Sequence, residues 1–259
     1  MLGDTFADAG AARAAGLRFA LLAHLERCDI CPFVGVSQGG GRVEADDTPP
    51  DVESLCRGMT VSEAARILRD VRPAERAIGF WIAALREAFE EMGLLLAYDG
   101  SGAPFEPDAS TRGRFAGHRA RCRLGAGAFR RMLVREGLTL ATDRMAYYAH
   151  WITPEERPIR FDTRFFVAAS LPGELPEPDG VEVVGWRWLT PALALAEHRS
   201  GQITLPFSTQ QILQSLADSG DVAALLRAAR LRKIRPIRPR VVGTEGRERI
   251  LLPDDPGYF

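Results

Sequence analysis

The chain has 259 residues, of which 46% are hydrophobic and 26% charged, and its formal net charge at pH 7 is -1. This composition is typical of a globular protein and excludes a disordered or fibrous chain. The near-neutral charge argues against a dominant nucleic-acid-binding surface. No uncharged apolar run approaches the ~20 residues of a membrane span, and the first residues lack the basic and apolar segments of a secretion signal. We therefore expect a cytoplasmic protein with one elaborated domain or two small ones.

The cysteines leave two interpretations open. Cys28 and Cys31 form a C-x-x-C pair, and His24 is a candidate third ligand for zinc. A structural zinc site usually needs a second pair of this kind, which the sequence lacks. Reduced thiols in a cytosolic protein are therefore the favoured interpretation, with zinc as the alternative.

The first part of the chain predicts one long helix among shorter elements. This helix begins at Pro73 and stops at Gly93, because proline near the start and glycine just past the end are the usual helix boundaries. Before it, the sequence predicts a strand or short helix over 16–25, a glycine turn at 39–41, a loop around 46–50 and a short helix over 62–70.

The second part mixes both kinds of element. The segments rich in aromatic and β-branched residues predict strands over 145–151, 161–169, 181–189 and 250–252. Apolar periodicity predicts helices over 127–136, 191–198, 209–216 and 222–231. Such a mixture, with some antiparallel pairing, indicates an α+β fold or an α/β/α sandwich.

The strongest chemical signal lies on the long helix. Glu87, Glu90 and Glu91 are spaced i, i+3 and i+4, so they share one face. Carboxylates gathered in this way repel one another, and a hard divalent cation would offset that repulsion. Arg86 is one turn before Glu90 and is placed to hold its carboxylate by paired hydrogen bonds. We expect Glu90 and Glu91 to face solvent and the opposite face to be buried: Trp81, Ile82, Leu85, Phe89 and Met92. The alternative is a solvated acidic stripe.

The segment REAFEEMGL at 86–94 resembles the second half of the Nudix box, and the glycines that end in GRVE at 41–44 resemble its opening. A long insertion over 48–72 separates the two halves. An insertion of this kind is similar to that of a Nudix branch that includes the peroxisomal acyl-coenzyme A diphosphatases and bacterial relatives. Four further segments resemble that branch: HWITP at 150–154, RFDTRFF at 160–166, WRWLTP at 186–191 and LPDDPGY at 252–258.

The resemblance implies a fold and a domain organisation. The fold is α+β, a Nudix-like α/β/α sandwich with a mixed sheet. The chain is expected to be a single Nudix-like domain over 1–259, with the insertion 48–72 inside the box and a helical and irregular C-terminal extension over 207–259.

The resemblance also implies an activity: metal-dependent hydrolysis of the diphosphate linkage in a nucleoside diphosphate derivative, with coenzyme A and acyl-coenzyme A among the candidates. The expected partner is this small molecule; we expect no membrane partner, a nucleic acid is the less favoured possibility, and the oligomeric state stays open, a homodimer included. The general base also stays open between a metal-bound glutamate and a loop acid, Glu174 or Glu182. The implied cofactor is Mg²⁺ or Mn²⁺, with Gly41, Glu87, Glu90 and Glu91 as metal ligands and Arg86, Glu90 and Glu91 as catalytic residues.

The sequence departs from the family pattern at several points. Ile78 stands where the box carries a glutamate eight residues before Arg86, and Glu75 is the nearby candidate to substitute for it. Gln38-Gly39 replaces the usual Phe-Pro, and residues 21–25 replace the element linked to coenzyme A recognition. These departures motivate an alternative, a degenerate Nudix module that binds a nucleotide without cleaving it.

Three other features carry two interpretations each. The basic stretch over 227–240 is either a nucleic-acid-binding segment or, as is more common, a solvated helix end. Asp162 and Arg164 share a strand face and either bind substrate phosphate or, as we slightly favour, pair with each other. Trp186 and Trp188 also share a strand face, where core packing is more common than stacking on a base.

Overall fold

The computed structural model describes the backbone of short strands near the start of the chain and most residues after position 42. Some predicted features lie outside the described residues: the glycine turn with Gly41, Cys28 with His24, Glu174 and Glu182. The described ranges are 19–23, 30–31, 35–36, 43–125, 127–158, 160–170, 176–179, 183, 185–217, 219, 221–244 and 247–258.

The described α-helices follow the sequence prediction at most positions. They are α1 (Val61–Ile67), α2 (Gly79–Met92), α3 (Arg112–Cys122), α4 (Gly127–Glu136), α5 (Pro191–Arg199), α6 (Phe207–Ala217) and α7 (Val222–Leu231). No described helix has the length and the apolar character that crossing a bilayer requires.

The described strands form small antiparallel sheets. They are β1 (Phe19–Ala23), β2 (Ile30–Cys31), β3 (Gly35–Val36), β4 (Ala97–Tyr98), β5 (Thr139–Leu140), β6 (Met145–Ile152), β7 (Asp162–Ala168), β8 (Gly185–Leu189), β9 (Arg240–Val242) and β10 (Arg249–Leu251). The orders are β2-β1-β8, β3-β7-β6, β4-β5 and β10-β9. In the described part, parallel pairing occurs as isolated bridges, Cys56 with Leu140 and Trp151 with Ile237.

Strands β6 and β7 lie between two hydrophobic cores. Met145, Tyr147 and Phe166 belong to a core shared with α2, α3 and α4. Their neighbours Ala146 and Phe165 belong to a second core, shared with α5, α6 and α7. Successive residues of a strand point to opposite faces, so the β6-β7 pair has helices on both sides, as in an α/β/α sandwich.

The insertion at 48–72 contributes directly to the first core. It contains a 3-10 turn over Val52–Leu55 and helix α1, which Thr60 caps by accepting from the Glu63 N–H. Leu55 and Leu68 are buried in the same core as α2. The insertion therefore helps to fix the helix that carries the candidate site.

The structure corrects the sequence prediction for two helices. The predicted helix over 73–92 is a 3-10 turn over Ala74–Ile78 before α2 begins at Gly79. Helix α3 was not predicted, because its two glycines and four arginines hide the apolar periodicity. Phe115, His118, Arg119 and Cys122 are nevertheless buried at helical spacing, so tertiary packing overrides the weak local propensity.

Candidate functional site

Helix α2 buries its apolar face, as predicted, and Arg86, Glu87 and Glu90 are buried as well. Trp81, Leu85 and Phe89 are almost fully buried, and the Trp81 ring packs edge-on against Phe166 at 5.0 Å between centroids. Gly93 ends the helix in the left-handed conformation, with φ of 69°, and its N–H donates to the last turn. Glycine adopts this conformation without the steric cost of a Cβ.

Arg86 is the centre of the described charge cluster. Its guanidinium Nη1 lies 2.6 Å from Glu87 Oε1 and 3.3 Å from Glu90 Oε2. On its other side, Nε lies 3.0 Å from Asp47 Oδ1 and Nη2 lies 3.2 Å from Asp47 Oδ2. One guanidinium thus joins two of the predicted glutamates to an aspartate 39 residues earlier in the chain.

Arg86 holds the Glu90 carboxylate by two hydrogen bonds, as predicted, but both come from Nη1, at 3.3 and 3.4 Å from the two Glu90 oxygens. The fork-like contact through two different nitrogens goes to Asp47, which the sequence did not indicate. Sequence reasoning placed Asp47 in a loop and gave it no role. No local signal distinguishes this aspartate from Asp46, because its partner lies on a different element.

The expectation that Glu90 faces solvent is wrong. Glu87 and Glu90 are 8% and 9% exposed, whereas Glu91 is half-buried. Helix α3 packs beside α2, and the Arg119 Nε donates to the Glu90 carbonyl oxygen at 3.0 Å. Burial, together with pairing to Arg86, withdraws the Glu87 and Glu90 carboxylates from water.

Burial shifts the proton affinities of this cluster. It raises the pKa of Glu90 to about 7, although the positive charge of Arg86 opposes the shift. Burial also raises the pKa of Asp47, against the opposing hydrogen bond and charge of Arg86. The pKa of Arg86 lies above its ordinary range, because the three carboxylates outweigh the effect of burial. The cluster therefore couples one permanent cation to several partly desolvated acids.

The donor chemistry of the site fits a hard divalent cation, since carboxylate oxygens are the ligands such ions take. The geometry is not preassembled: among the residues that the structure describes, no three His, Cys, Asp or Glu side chains form a group that could hold a metal ion. Glu87 and Glu90 turn toward Arg86 instead. The predicted ligand set of Glu87, Glu90, Glu91 and Gly41 therefore stays a prediction.

An apolar residue, Ile78, stands eight residues before Arg86, where the family pattern has a glutamate. Ile78 is fully buried in the first core. Glu75, the predicted substitute, is exposed, and the acids described in contact with Arg86 are Asp47, Glu87 and Glu90. Glu75 therefore does not take that place.

Asp162 and Arg164 pair with each other, which is the interpretation we favoured. Arg164 Nη1 lies 3.0 Å from Asp162 Oδ1, and Arg164 also binds Asp70 of the insertion. His150 Nε2 lies 2.5 Å from the same Asp162 oxygen. This network ties the insertion to β7.

The basic C-terminal stretch is partly used inside the chain. Arg238 Nη1 lies 2.7 Å from Glu155 Oε1, and the Arg230 guanidinium donates to the Asp143 carbonyl oxygen. Arg232 lies over the Tyr148 ring. These contacts favour a structural role for the stretch.

Trp186 and Trp188, which share a face of β8, are half-buried, and their ring centroids lie 6.0 Å apart.

Comparison with known proteins agrees with this fold and with the pattern on α2. The family model described as the NUDT19 Nudix domain matches residues 57–212. The chain therefore belongs to the Nudix hydrolase family, in the branch that this model describes. The human acyl-coenzyme A diphosphatase NUDT19 is 30% identical over 196 residues, which are 70% of this chain and 51% of the human protein. The chain thus spans about half the length of that relative.

A solved structure supports the fold independently. The crystal structure of a Nudix hydrolase from Alicyclobacillus acidocaldarius superposes with a TM-score of 0.60 and 20% sequence identity, covering 82% of this chain and 89% of that one. At this identity the likeness establishes the fold alone. The predicted α+β Nudix fold is therefore confirmed.

Proposed function

We propose that this protein is a divalent-metal-dependent Nudix pyrophosphohydrolase that cleaves the diphosphate linkage of a nucleoside diphosphate derivative. The observation that carries the proposal is the Arg86–Glu87–Glu90 cluster, which lies on α2 within the matched segment of a Nudix family model. Nudix hydrolases generally use divalent metals such as Mg²⁺ or Mn²⁺, and this acidic helix offers oxygen ligands of the kind these ions take.

Coenzyme A and acyl-coenzyme A are the first substrates to test, because the human relative is named as an acyl-coenzyme A diphosphatase. In the reaction, a water oxygen forms a bond to one phosphorus, and the bond from that phosphorus to the bridging oxygen breaks. The products are two phosphate monoesters. A bound cation would neutralise the charge that develops on the phosphoryl oxygens.

The residues of this chain have distinct proposed roles. Glu87, Glu90 and Glu91 would hold the metal, with the carbonyl of Gly41 as a backbone ligand by its position in the family pattern. Arg86 would orient Glu87 and Glu90 through Nη1. The proton acceptor for the attacking water stays open between a ligand glutamate and the loop acids Glu174 and Glu182. The cytoplasmic location and the single-domain organisation also stay predictions.

The test is a panel of nucleoside diphosphate derivatives that includes coenzyme A and an acyl-coenzyme A, assayed with Mg²⁺ and with Mn²⁺. We expect metal-dependent release of two phosphate monoesters from at least one member. Glu90→Gln and Glu91→Gln should each abolish turnover. The matched control is Glu75→Gln, which changes an exposed acid just before α2 and should leave turnover unchanged.

Because Glu90 is buried beside Arg86, the thermal transition of each variant has to be measured along with its turnover. Retained turnover in both folded variants, Glu90→Gln and Glu91→Gln, would overturn the site assignment. Nucleotide binding without cleavage across the whole panel would instead indicate the alternative, a module that binds without hydrolysis.

A further inference from the structure

A cleft of about 780 Å³ lies between helices α3 and α4. The residues that line it include three arginines, Arg121 of α3 and Arg131 and Arg135 of α4. Binding sites for small molecules occupy roughly 300–1,000 Å³, so this cleft has the size of such a site.

The arginines of the cleft differ from their neighbours in having no acidic partner. All three are exposed, and among the residues that the structure describes none of them forms an ion pair. On the same two helices, Arg114 Nη2 lies 2.9 Å from Glu136 Oε2, and Arg130 Nη2 lies 2.6 Å from Asp51 Oδ2. His118, which also lines the cleft, lies 2.9 Å from the same Glu136. The acids next to the cleft are therefore paired with other residues.

Helical geometry brings two of the unpaired charges together. Arg131 and Arg135 are four residues apart on α4, so their side chains share one face. Like charges at this spacing destabilise a helix. An anion bound in the cleft would offset their repulsion.

Asp46 is the acid among the residues that line the cleft. It belongs to the 3-10 turn over Ala45–Asp47, and its Oδ2 lies 2.7 Å from the point where a Cβ on Gly127 would stand. Arg131 Nη1 lies 3.0 Å from the same point, yet the two side chains do not form an ion pair. One acid against three arginines leaves an excess of positive charge.

The cleft adjoins the candidate site. Asp46 lines the cleft, whereas the next residue, Asp47, pairs with the arginine of the candidate site. Cys122 of α3 gives a second link, because burial raises the pKa of its thiol to about 12 and the charges of both Glu90 and Arg131 act on it. The acidic cluster and the basic cleft are therefore neighbours with opposite charge.

We propose that this cleft binds the phosphate monoester group of a small molecule, with the guanidinium groups of Arg121, Arg131 and Arg135 as donors. A guanidinium presents its N–H groups in a planar fork that matches phosphate oxygens. A phosphate monoester carries close to two negative charges at neutral pH, which matches the excess of arginines over acids. The Asp46 carboxylate is placed to accept from a hydroxyl or amino group of the same molecule.

This inference goes beyond the proposed function, because the site lies outside the acidic cluster and needs no metal ion. Two sources would supply the group. One is the diphosphate substrate itself, where it carries a further phosphate monoester, as coenzyme A does. The other is a separate phosphate compound.

The test is isothermal titration calorimetry of the full-length protein with adenosine 5′-monophosphate, and with adenosine as the matched ligand without phosphate. The buffer is free of phosphate and contains a chelator. Without a metal ion the acidic residues of α2 repel phosphate, so binding reports on the cleft. We expect the monophosphate to bind, adenosine to show no binding, and the affinity to fall as the salt concentration rises.

Glutamine substitutions locate the binding. Arg131→Gln and Arg135→Gln should each weaken monophosphate binding by about 10-fold, the scale of losing a hydrogen bond to a charged group. The control is Arg130→Gln, which removes the same charge from the adjacent residue, paired with Asp51, and should bind as the wild type does. Since Arg131 and Arg135 are exposed, we expect these variants to keep the thermal transition of the wild type.

Kinetics distinguish the two sources. If the substrate supplies the phosphate monoester, Arg131→Gln should raise the KM for coenzyme A and leave the KM for 3′-dephospho-coenzyme A, which lacks that group, unchanged. If a separate compound supplies it, both KM values should stay as in the wild type while the affinity for the monophosphate falls.

The binding experiment decides the proposal whether or not the chain is a hydrolase. Wild-type protein that does not bind the monophosphate overturns it, and so do Arg131→Gln and Arg135→Gln variants that bind as tightly as Arg130→Gln. A chain that binds the monophosphate through these arginines but cleaves no diphosphate would overturn the proposed function alone.

Discussion

The Arg119 side chain of α3 donates from Nε to the backbone carbonyl oxygen of Glu90, at 3.0 Å. Arg119 is 9% exposed, and its Nη2 has no hydrogen-bond partner among the described residues. Burial lowers the pKa of Arg119, since the charged form loses its hydration. The contact joins α3, which the sequence did not predict, to one of the proposed metal ligands.

We expect Arg119→Ala to lower the free energy of unfolding by about 1–3 kcal/mol, because a buried carbonyl loses its donor and the packed aliphatic stem is lost. Urea denaturation followed by circular dichroism measures the change. The control is Arg123→Ala, which alters a more exposed arginine at the end of the same helix and should cost no more than about 0.5 kcal/mol. Equal effects of the two substitutions would contradict the structural importance of the Arg119–Glu90 contact.

Gly79 permits the close approach of the turn that carries Asp47. Gly79→Ala would place a methyl group 2.8 Å from both Val43 Cγ1 and Thr48 Cγ2, so we expect it to cost about 1–3 kcal/mol of stability by overpacking. Gly113 lies exposed in α3 with no heavy atom within 4 Å of an added Cβ. Gly113→Ala should therefore stabilise the protein by about 0.4–1 kcal/mol, because it restricts the unfolded chain.

Thermal and urea denaturation of the two glycine variants measure the difference directly. The sign of the effect should be opposite at the two positions. A Gly79→Ala variant as stable as Gly113→Ala would mean that the turn over Ala45–Asp47 does not press on α2 in solution.

Glu136 links α4 to α3 through an ionic contact. Its carboxylate lies 2.9 Å from Arg114 Nη2 and 2.9 Å from His118 Nε2. Burial acts to raise the pKa of Glu136, but the hydrogen bonds from His118 and Arg114 outweigh it and hold the pKa below the ordinary 4.5. A carboxylate with a lowered folded-state pKa contributes stability above its unfolded-state pKa and loses it as the pH falls through the folded-state value.

We therefore expect Glu136→Gln to lower the free energy of unfolding at pH 7 by on the order of 1 kcal/mol. The difference from the wild type should stay constant from pH 7 down to about 5 and then shrink as the pH falls below 4.5. Urea denaturation at a series of pH values measures it. A difference that stays constant down to pH 3, or grows there, would contradict the lowered pKa.

Sequence patterns were sufficient for the parts of the fold that depend on local periodicity. Helix α2, its glycine stop at Gly93, and strands β6 and β7 follow from the spacing of apolar residues and from chain-breaking residues. Helix α3 did not follow, because glycine and arginine lower its helix signal, and contacts with other elements, among them the packing of Phe115 and Cys122 in the core, stabilise it.

The candidate site also has some features that follow from local sequence and others that depend on tertiary packing. Glu87, Glu90 and Glu91 lie on one helical face beside Arg86 because an α-helix has about 3.6 residues per turn. The sequence by itself therefore determined this arrangement, and it also indicated the family. Only the tertiary structure decided that Asp47 takes the guanidinium fork, and that Glu90 is buried, with its carbonyl oxygen accepting from Arg119 of α3. The reason is distance along the chain: contacts between residues 39 and 29 positions apart depend on how whole elements pack, which no local spacing specifies.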